Sequence, residues 1–129
     1  MTRSDTGGIL AGIAAIGYLG TALLHSTGYS SVAKLATEVP SDLGPLIPAL
    51  WLVFSLDLAV LGVIVGVVAW RRPQAGWLIL VIASLQPLGA ASLQLRWIGF
   101  VPPTAILLAV AAVTLAASAL LRRDPAPAV

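Results

Sequence analysis

The sequence has 129 residues, of which 59% are hydrophobic and 9% are charged. Soluble domains carry about 25% charged residues, so this composition excludes an ordinary soluble domain and predicts an integral membrane protein. The absence of cysteine excludes disulfides, thiolate metal sites and cysteine nucleophiles. The 7 Lys and Arg residues outnumber the 5 Asp and Glu residues, but they are scattered near the ends of apolar blocks, so we expect no nucleic acid partner.

Four apolar blocks occupy most of the chain, at about 8–25, 48–70, 76–95 and 100–121. About 20 apolar residues in a helix cross the ~30 Å hydrocarbon layer, so each block is long enough to span a membrane. The sequence therefore predicts an all-α fold, a transmembrane four-helix bundle with antiparallel neighbours, as one domain over 1–129. No small-residue cleavage site follows the first block, which we interpret as an uncleaved span rather than a signal peptide.

The first block carries a polar stripe toward its end, and a long outer loop follows it. Tyr18, Thr21 and His25 recur at helical spacing and so share one face. The loop, residues 26–47, is longer than most connections in a compact domain. Within it, residues 31–38 are predicted to form a short interfacial helix.

The second block contains a single formal charge, Asp57. At ~1.5 Å per residue it lies about 14 Å from the outer end of the helix, near the middle of the bilayer. Ionisable groups at this depth are rare and usually face the inside of a bundle, where they pair or act on a ligand. Leu50, Phe54 and Leu61 share the face of Asp57, and we expect this face to be directed into the bundle.

The third block carries Gln86 at a depth similar to that of Asp57, so the two side chains are predicted to meet. Two interpretations of this contact stay open: a structural clasp between helices, or a site in which Gln86 orients the acid. Pro87 lacks a backbone N–H, so a carbonyl in the preceding turn must be satisfied by a neighbour or by water. Gln94 and Arg96 lie at the outer end of the block.

The distribution of charge predicts the orientation in the membrane, because cytoplasmic loops carry an excess of Lys and Arg. With four spans, both termini and the turn at 71–75 share one side, and this side holds most of the basic residues. They are Arg3, Arg71, Arg72, Arg122 and Arg123, against Lys34 and Arg96 on the other side. We expect a multi-pass protein of the plasma membrane with cytoplasmic N- and C-termini.

Glycines at small-xxx-small spacing predict close helix contacts. Gly8 and Gly12 in the first block, and Gly62 and Gly66 in the second, have this spacing. In lipid such residues let helix backbones approach each other. The contacts would join helices of one chain or of two copies, so a homodimer stays open.

The polar residues in the outer half of the blocks predict an outward-opening pocket for a lipophilic small molecule. Asp57 and His25 are the candidate catalytic residues, because a carboxyl group and an imidazole together can move a proton. The candidate substrate-binding residues are Gln86, Tyr18, Trp51, Phe54, Gln94 and Arg96. Isomerisation, cyclisation or epoxide opening would use this set, whereas nothing resembles the strand-turn-helix setting of a nucleophilic serine.

Two other classes of protein stay open. A small proton-coupled transporter would also use an acid inside the membrane, although four-helix multidrug exporters carry it in their first span and this chain has it in the second. An accessory subunit would dock its small-residue faces on a larger membrane partner. We expect no cofactor and no metal ion, because one histidine cannot supply the axial pair that a haem in a small bundle usually takes.

The stretch "TALLHSTGYSSVAKLATEVPSDLGPLIPALWLVFSLDLAVLG" resembles a group of short bacterial four-span membrane proteins. The shared features are Leu-His-Ser at 24–26, the following Gly28, and Trp51 at the start of the second span. The resemblance covers about a third of the chain, and it implies the four-helix architecture and a role for His25 and Trp51. Some of these proteins have a histidine directly after the tryptophan, where this chain has Leu52, which argues against a shared metal or haem site.

Overall fold

In the computed structural model, which describes residues 3–39 and 43–122, the chain forms five helices and no strand. They are α1 (Arg3–Thr27), α2 (Tyr29–Ala36), α3 (Leu46–Arg71), α4 (Gly76–Trp97) and α5 (Pro102–Arg122). By length and composition, α1, α3, α4 and α5 can each cross a membrane. The predicted all-helical class and the four long apolar helices are therefore confirmed.

Backbone chemistry sets the turns between the long helices. Arg72 caps the end of α3 in a left-handed conformation with φ of 47°, and Pro73 then prevents the helix from continuing. After α4, Gly99 has a φ of 91°, which glycine adopts at little cost. α5 begins at Pro102, whose missing N–H would have no helical partner in the first turn. Both connections are short, so α3, α4 and α5 follow one another closely.

The loop between the first two long helices contains the short helix α2, as predicted, although it starts at Tyr29 rather than at residue 31. α2 packs mainly on α3 and buries Ala36. The predicted end of this helix is also shifted, because Thr37 already forms the cap. Asp42, in the same loop, lies outside the described residues.

Small residues let α1 pack closely on its neighbours. α1 packs on α3 and α5, and α4 packs on α5, whereas α3 and α4 touch each other much less. The residues of α1 that this packing buries include Ala11, Ala14, Ala15 and Ala22. On α3, a Cβ at Gly62 would lie 2.8 Å from Leu19 Cγ of α1. Lipid gives no hydrophobic drive for helices to associate, so this close approach provides the van der Waals contact between them.

A proline inside α4 depends on a side chain of α1. Pro87 has no N–H, so the carbonyl of Ala83, one turn earlier, lacks its helical donor. Tyr18 is fully buried, and its hydroxyl donates a hydrogen bond to Ala83 O at 2.8 Å. The predicted need for a neighbour at a freed carbonyl is confirmed, and the neighbour is Tyr18.

Two further polar contacts join helices. The guanidinium of Arg72, after the end of α3, forms an ion pair of 2.9 Å with Asp5 in the first turn of α1. The hydroxyl of Ser118 in α5 donates to the backbone carbonyl of Trp77 in α4 at 2.7 Å. The first contact is half exposed and the second is largely buried, so we expect the second to contribute more to stability.

Candidate functional site

The imidazole of His25 is held between the end of α1 and the start of α3. Its ring stacks on the indole of Trp51, with ring centroids 3.8 Å apart and planes 17° apart. The centroid of the Phe54 ring lies 4.8 Å from that of His25. Trp51 Nε1–H also donates to the backbone carbonyl of His25 at 2.7 Å, in the last turn of α1, where carbonyls need partners from outside the helix. Trp51 therefore orients the imidazole and caps α1.

The hydroxyl of Ser55 contacts one nitrogen of the imidazole. Its Oγ is 2.8 Å from His25 Nδ1 and 3.2 Å from the carbonyl oxygen of Trp51. The carbonyl can only accept, so when both bonds form, the hydroxyl donates to Trp51 O and His25 Nδ1–H donates to Ser55 Oγ. His25 Nε2 then carries a lone pair, and it has no hydrogen-bond partner in the part of the chain that the structure describes.

His25 lines a cavity of about 170 Å³ between the four long helices. Its polar lining residues are His25, Thr21 and Gln94. The Thr21 hydroxyl already donates to the carbonyl of Gly17 in its own helix, at 2.7 Å. The other lining residues are Leu24, Trp51, Phe54, Pro103, Ile106 and Leu107. The cavity is thus apolar, with an aromatic wall on the α3 side and polar groups at His25 and Gln94.

Gln94 supplies a hydrogen-bond donor to this cavity. Its Oε1 accepts from the hydroxyl of Thr104 at 2.8 Å, while the Thr104 oxygen accepts from Val101 N–H at 3.4 Å. These bonds fix the orientation of the amide, and Gln94 Nε2 has no partner among residues 3–39 and 43–122. Gln94 and His25 therefore line one apolar space, and each has a side-chain nitrogen without a partner in the described chain.

A groove between α3 and α4 adjoins the cavity. It has a volume of about 390 Å³ and shares His25, Trp51, Phe54 and Gln94 with the cavity. Its remaining lining residues are Ile47, Leu50, Ala90 and Leu93. The groove exists because α3 and α4 touch so little. It opens along the sides of the helices, where lipid would surround them.

Asp57 does not belong to this cavity. Its side chain is exposed on the outer surface of α3, and none of the described residues forms a hydrogen bond or ion pair with it. The expectation that Asp57 faces the inside of the bundle and pairs with Gln86 is therefore wrong. Ser55 takes the inward position instead, because two residues in a helix are about 160° apart around its axis. Gln86 is partly buried, and its Oε1 is buried without a partner in the described part of the chain.

The other predicted site residues divide between the cavity and the rest of the molecule. His25, Trp51, Phe54 and Gln94 line the cavity. The hydroxyl of Tyr18 instead donates a hydrogen bond to the carbonyl of Ala83. Arg96 is exposed, with its guanidinium carbon 4.9 Å from the Trp97 ring centroid. Tyr18 and Arg96 do not line the cavity. The cavity therefore does not support their predicted role in binding a substrate.

Ser55 and Thr104 orient the polar groups of the cavity, and the sequence alone did not single out either residue. Ser55 follows Trp51 by four residues, about one helical turn, so the sequence already places it on the same helix face as a predicted site residue. Thr104 follows the proline pair at 102–103 and has no comparable signal. Its contact with Gln94 depends on how α5 packs against α4.

The fold and the cavity define a helical protein with four helices able to cross a membrane and a histidine-lined space between them. Comparison of the chain with known proteins finds no matching family model, curated protein or solved structure. The resemblance to short bacterial four-span proteins therefore stays a prediction that rests on the residues quoted for it.

Proposed function

We propose that the protein binds a lipophilic small molecule with a hydroxyl-bearing ring in the His25 cavity, and that the molecule enters from lipid through the groove between α3 and α4. One observation carries this proposal: His25 and Gln94 both line an apolar cavity, and His25 Nε2 and Gln94 Nε2 have no partner in the described chain. Ligand sites are typically apolar spaces with a few polar groups that fix the orientation of the ligand.

The volumes define the size of the ligand. An apolar cavity of ~150 Å³ in another protein takes up benzene, so the cavity of about 170 Å³ accommodates one six-membered ring. The adjoining groove of about 390 Å³ has room for a hydrocarbon tail. We therefore infer a ligand whose ring enters the cavity while its tail lies between α3 and α4.

The hydrogen-bonding groups select a hydroxyl on the ring. An O–H can donate to the lone pair of His25 Nε2 and accept from the amide of Gln94 at the same time. A ring without this hydroxyl leaves both groups unpaired, at a cost of ~1–3 kcal/mol. The faces of Trp51 and Phe54 offer aromatic contact to the ring itself.

Proton transfer in this site would use His25. Its Nε2 can accept the proton of a bound hydroxyl, while the bond from Nδ1–H to Ser55 holds the ring in place. An isomerase-like or cyclase-like reaction is an extension of the binding proposal. It would draw its acid and base from His25 and the ligand, because Asp57 is on the outer surface.

We also propose a plasma-membrane location, as a four-helix bundle with antiparallel neighbours and cytoplasmic termini. The basic residues that follow α3 and end α5, Arg71, Arg72 and Arg122, support this orientation, since basic residues concentrate on the cytoplasmic side. The ion pair between Arg72 and Asp5 also joins the start of α1 to the end of α3. The His25 cavity then opens toward the outer leaflet.

A matched pair of ligands tests the binding proposal on the purified protein in lipid nanodiscs. The probe is 4-nonylphenol, and its methyl ether has the same ring and tail without the O–H. A ligand that binds only the folded protein raises its unfolding temperature, which circular dichroism measures. We expect the phenol to raise this temperature and the ether to bind about tenfold more weakly. Equal binding of the two would contradict the proposed role of the hydroxyl.

Two variants locate the site. His25→Phe keeps a ring against Trp51 but removes both nitrogens, and Gln94→Met keeps the side-chain length but removes the donor. We expect each to weaken binding of the phenol by about tenfold, and His25→Phe to leave binding of the ether unchanged because the ether has no O–H to donate to His25. Ser92→Ala, on the exposed surface of the same helix as Gln94, is the matched control. Loss of binding in Asp57→Asn with full binding in His25→Phe would overturn the assignment.

A further inference from the structure

The outward face of α3 carries a heptad pattern. Exposed positions recur along α3 at alternating steps of three and four residues, which is the spacing of the a and d positions in a coiled coil. They are Leu50, Val53, Asp57, Val60, Ile64 and Val67, and we call this set the α3 seam. The opposite side of α3 packs on α1 through residues such as Ser55 and Gly62. The α3 seam is therefore open to a partner from outside the chain.

Asp57 distinguishes the α3 seam from an ordinary lipid-facing surface. Valine and isoleucine side chains need no protein partner in lipid, because lipid tails are as apolar as they are. A carboxyl group in the middle of a span does need one, since hydrocarbon offers no hydrogen bond. None of the residues at 3–39 and 43–122 provides it. The group that pairs with Asp57 must come from another molecule on the seam.

We propose that the α3 seam is the interface between two copies of this chain, with their Asp57 carboxyl groups hydrogen-bonded to each other across a two-fold axis. Copies that enter the membrane in the same orientation bring their α3 helices together in parallel, and each a position then faces its own counterpart. A carboxyl group that carries a proton both donates and accepts, so two carboxyl groups can bond to each other across the axis. A single polar residue at an a position fixes the register of such pairs.

The valines and the isoleucine on either side of Asp57 suit this interface. Their β-branched side chains have restricted rotamers, so they lose little conformational freedom when they pack. The seam shares Leu50 with the groove, but Asp57 and Val60 line neither the groove nor the His25 cavity. Failure of ligand binding would therefore leave the cross-link at Val60 and its dependence on Asp57 unchanged.

Disulfide cross-linking in proteoliposomes tests the interface, and the chain has no cysteine of its own. Val60→Cys lies at a d position of the seam, and Val63→Cys lies outside the seam on the same helix. The two valines are 50% and 59% exposed, so they are matched in residue type and access. Disulfides need Cα atoms about 4.4–6.8 Å apart. We expect oxidation to join two Val60→Cys chains and to leave Val63→Cys chains monomeric.

Variants of Asp57 test whether the cross-link depends on a hydrogen bond at Asp57 or on chance encounters between single chains. In the Val60→Cys background, Asp57→Asn keeps a self-complementary group and should keep the cross-link, whereas Asp57→Val should reduce it about tenfold. Circular dichroism establishes that both variants are folded. Equal cross-linking of Val60→Cys and Val63→Cys, or no effect of Asp57→Val, would overturn the proposal. A Val60→Cys product in native membranes that contains a different protein would overturn it too.

Discussion

At the scale of single residues, the hydrogen bond from Tyr18 to Ala83 explains how α4 tolerates a proline. Pro87 removes an N–H, the Ala83 carbonyl loses its donor, and the tyrosine hydroxyl replaces that donor at 2.8 Å. No water in the hydrocarbon layer could take its place. The sequence predicts that a carbonyl before Pro87 needs a partner. It does not predict Tyr18 as this partner, because that depends on where the fold places α1 relative to α4.

Tyr18→Phe should destabilise the folded protein, because it leaves the buried Ala83 carbonyl without a donor. We expect a loss of ~1–2 kcal/mol in the free energy of unfolding, measured by titration with sodium dodecyl sulfate and circular dichroism. Tyr29→Phe is the matched control, since Tyr29 is exposed and should change the free energy of unfolding little.

A variant of Pro87 tests whether the effect of Tyr18→Phe comes from the hydrogen bond. Pro87→Ala restores an N–H that can bond to Ala83 O within α4. In the Pro87→Ala background, Tyr18→Phe should therefore cost much less than it does in the natural chain. An undiminished cost in that background would show that Tyr18 stabilises the protein by packing and not through this hydrogen bond.

The sequence predicted those site residues whose place in the cavity follows from their position along a helix. His25, Trp51 and Gln94 lie near helix ends, and residues at the same ends of neighbouring helices line one cavity. The direction of a side chain is a different property, because it depends on which neighbour the helix packs against. Asp57 illustrates this, since its position in the chain is central but its side chain points away from α1.

At the scale of elements, α3 is the helix whose faces the sequence could not distinguish. It is apolar on all sides apart from Asp57 and Ser55, so no polar stripe indicates which face is buried. The buried face of α3 includes Ser55, Leu58 and Gly62, and Gly62 approaches α1 so closely that a Cβ would lie 3.2 Å from Tyr18 Cβ. The glycine spacing noted in the sequence thus indicated the buried face better than the acid did.

Gly62→Ala should weaken the contact between α1 and α3. The added methyl group would lie 2.8 Å from Leu19 Cγ, so the helices must separate or side chains must shift. We expect a loss of ~1–3 kcal/mol in the free energy of unfolding. Gly66→Ala is the matched control, because its methyl group would lie 3.7 Å from Ala15 Cβ, an ordinary contact. Equal effects of the two substitutions would contradict close packing at Gly62.

At the scale of the whole molecule, the number of long helices was predictable and their arrangement was not. Helix length and apolar composition are local properties, so the four blocks appear as α1, α3, α4 and α5. The packing partners depend on side chains far apart in the chain. α3 and α4 are consecutive and joined by a short turn, yet they touch little, while α1 packs on both α3 and α5. The groove between α3 and α4 follows from this arrangement.

The predicted orientation is testable because the chain has no cysteine to interfere with labelling. Ser31→Cys lies on α2, before α3, and Gln74→Cys lies in the turn after α3, and both positions are exposed. Arg71 and Arg72 beside Gln74 should keep this turn in the cytoplasm. We therefore expect a membrane-impermeant maleimide to label Ser31→Cys in intact cells, and Gln74→Cys only after the cells are opened.

The two cysteine positions also test whether α3 crosses the membrane. Only α3 separates residues 31 and 74 among the long helices. Labelling of both from outside would mean that α3 does not span the bilayer, and the opposite pattern would place the His25 cavity at the cytoplasmic side. Ile82→Cys, on an exposed apolar position of α4, should react poorly on either side because thiols in hydrocarbon remain protonated. Its labelling at the rate of Ser31→Cys would mean that this part of α4 lies in water.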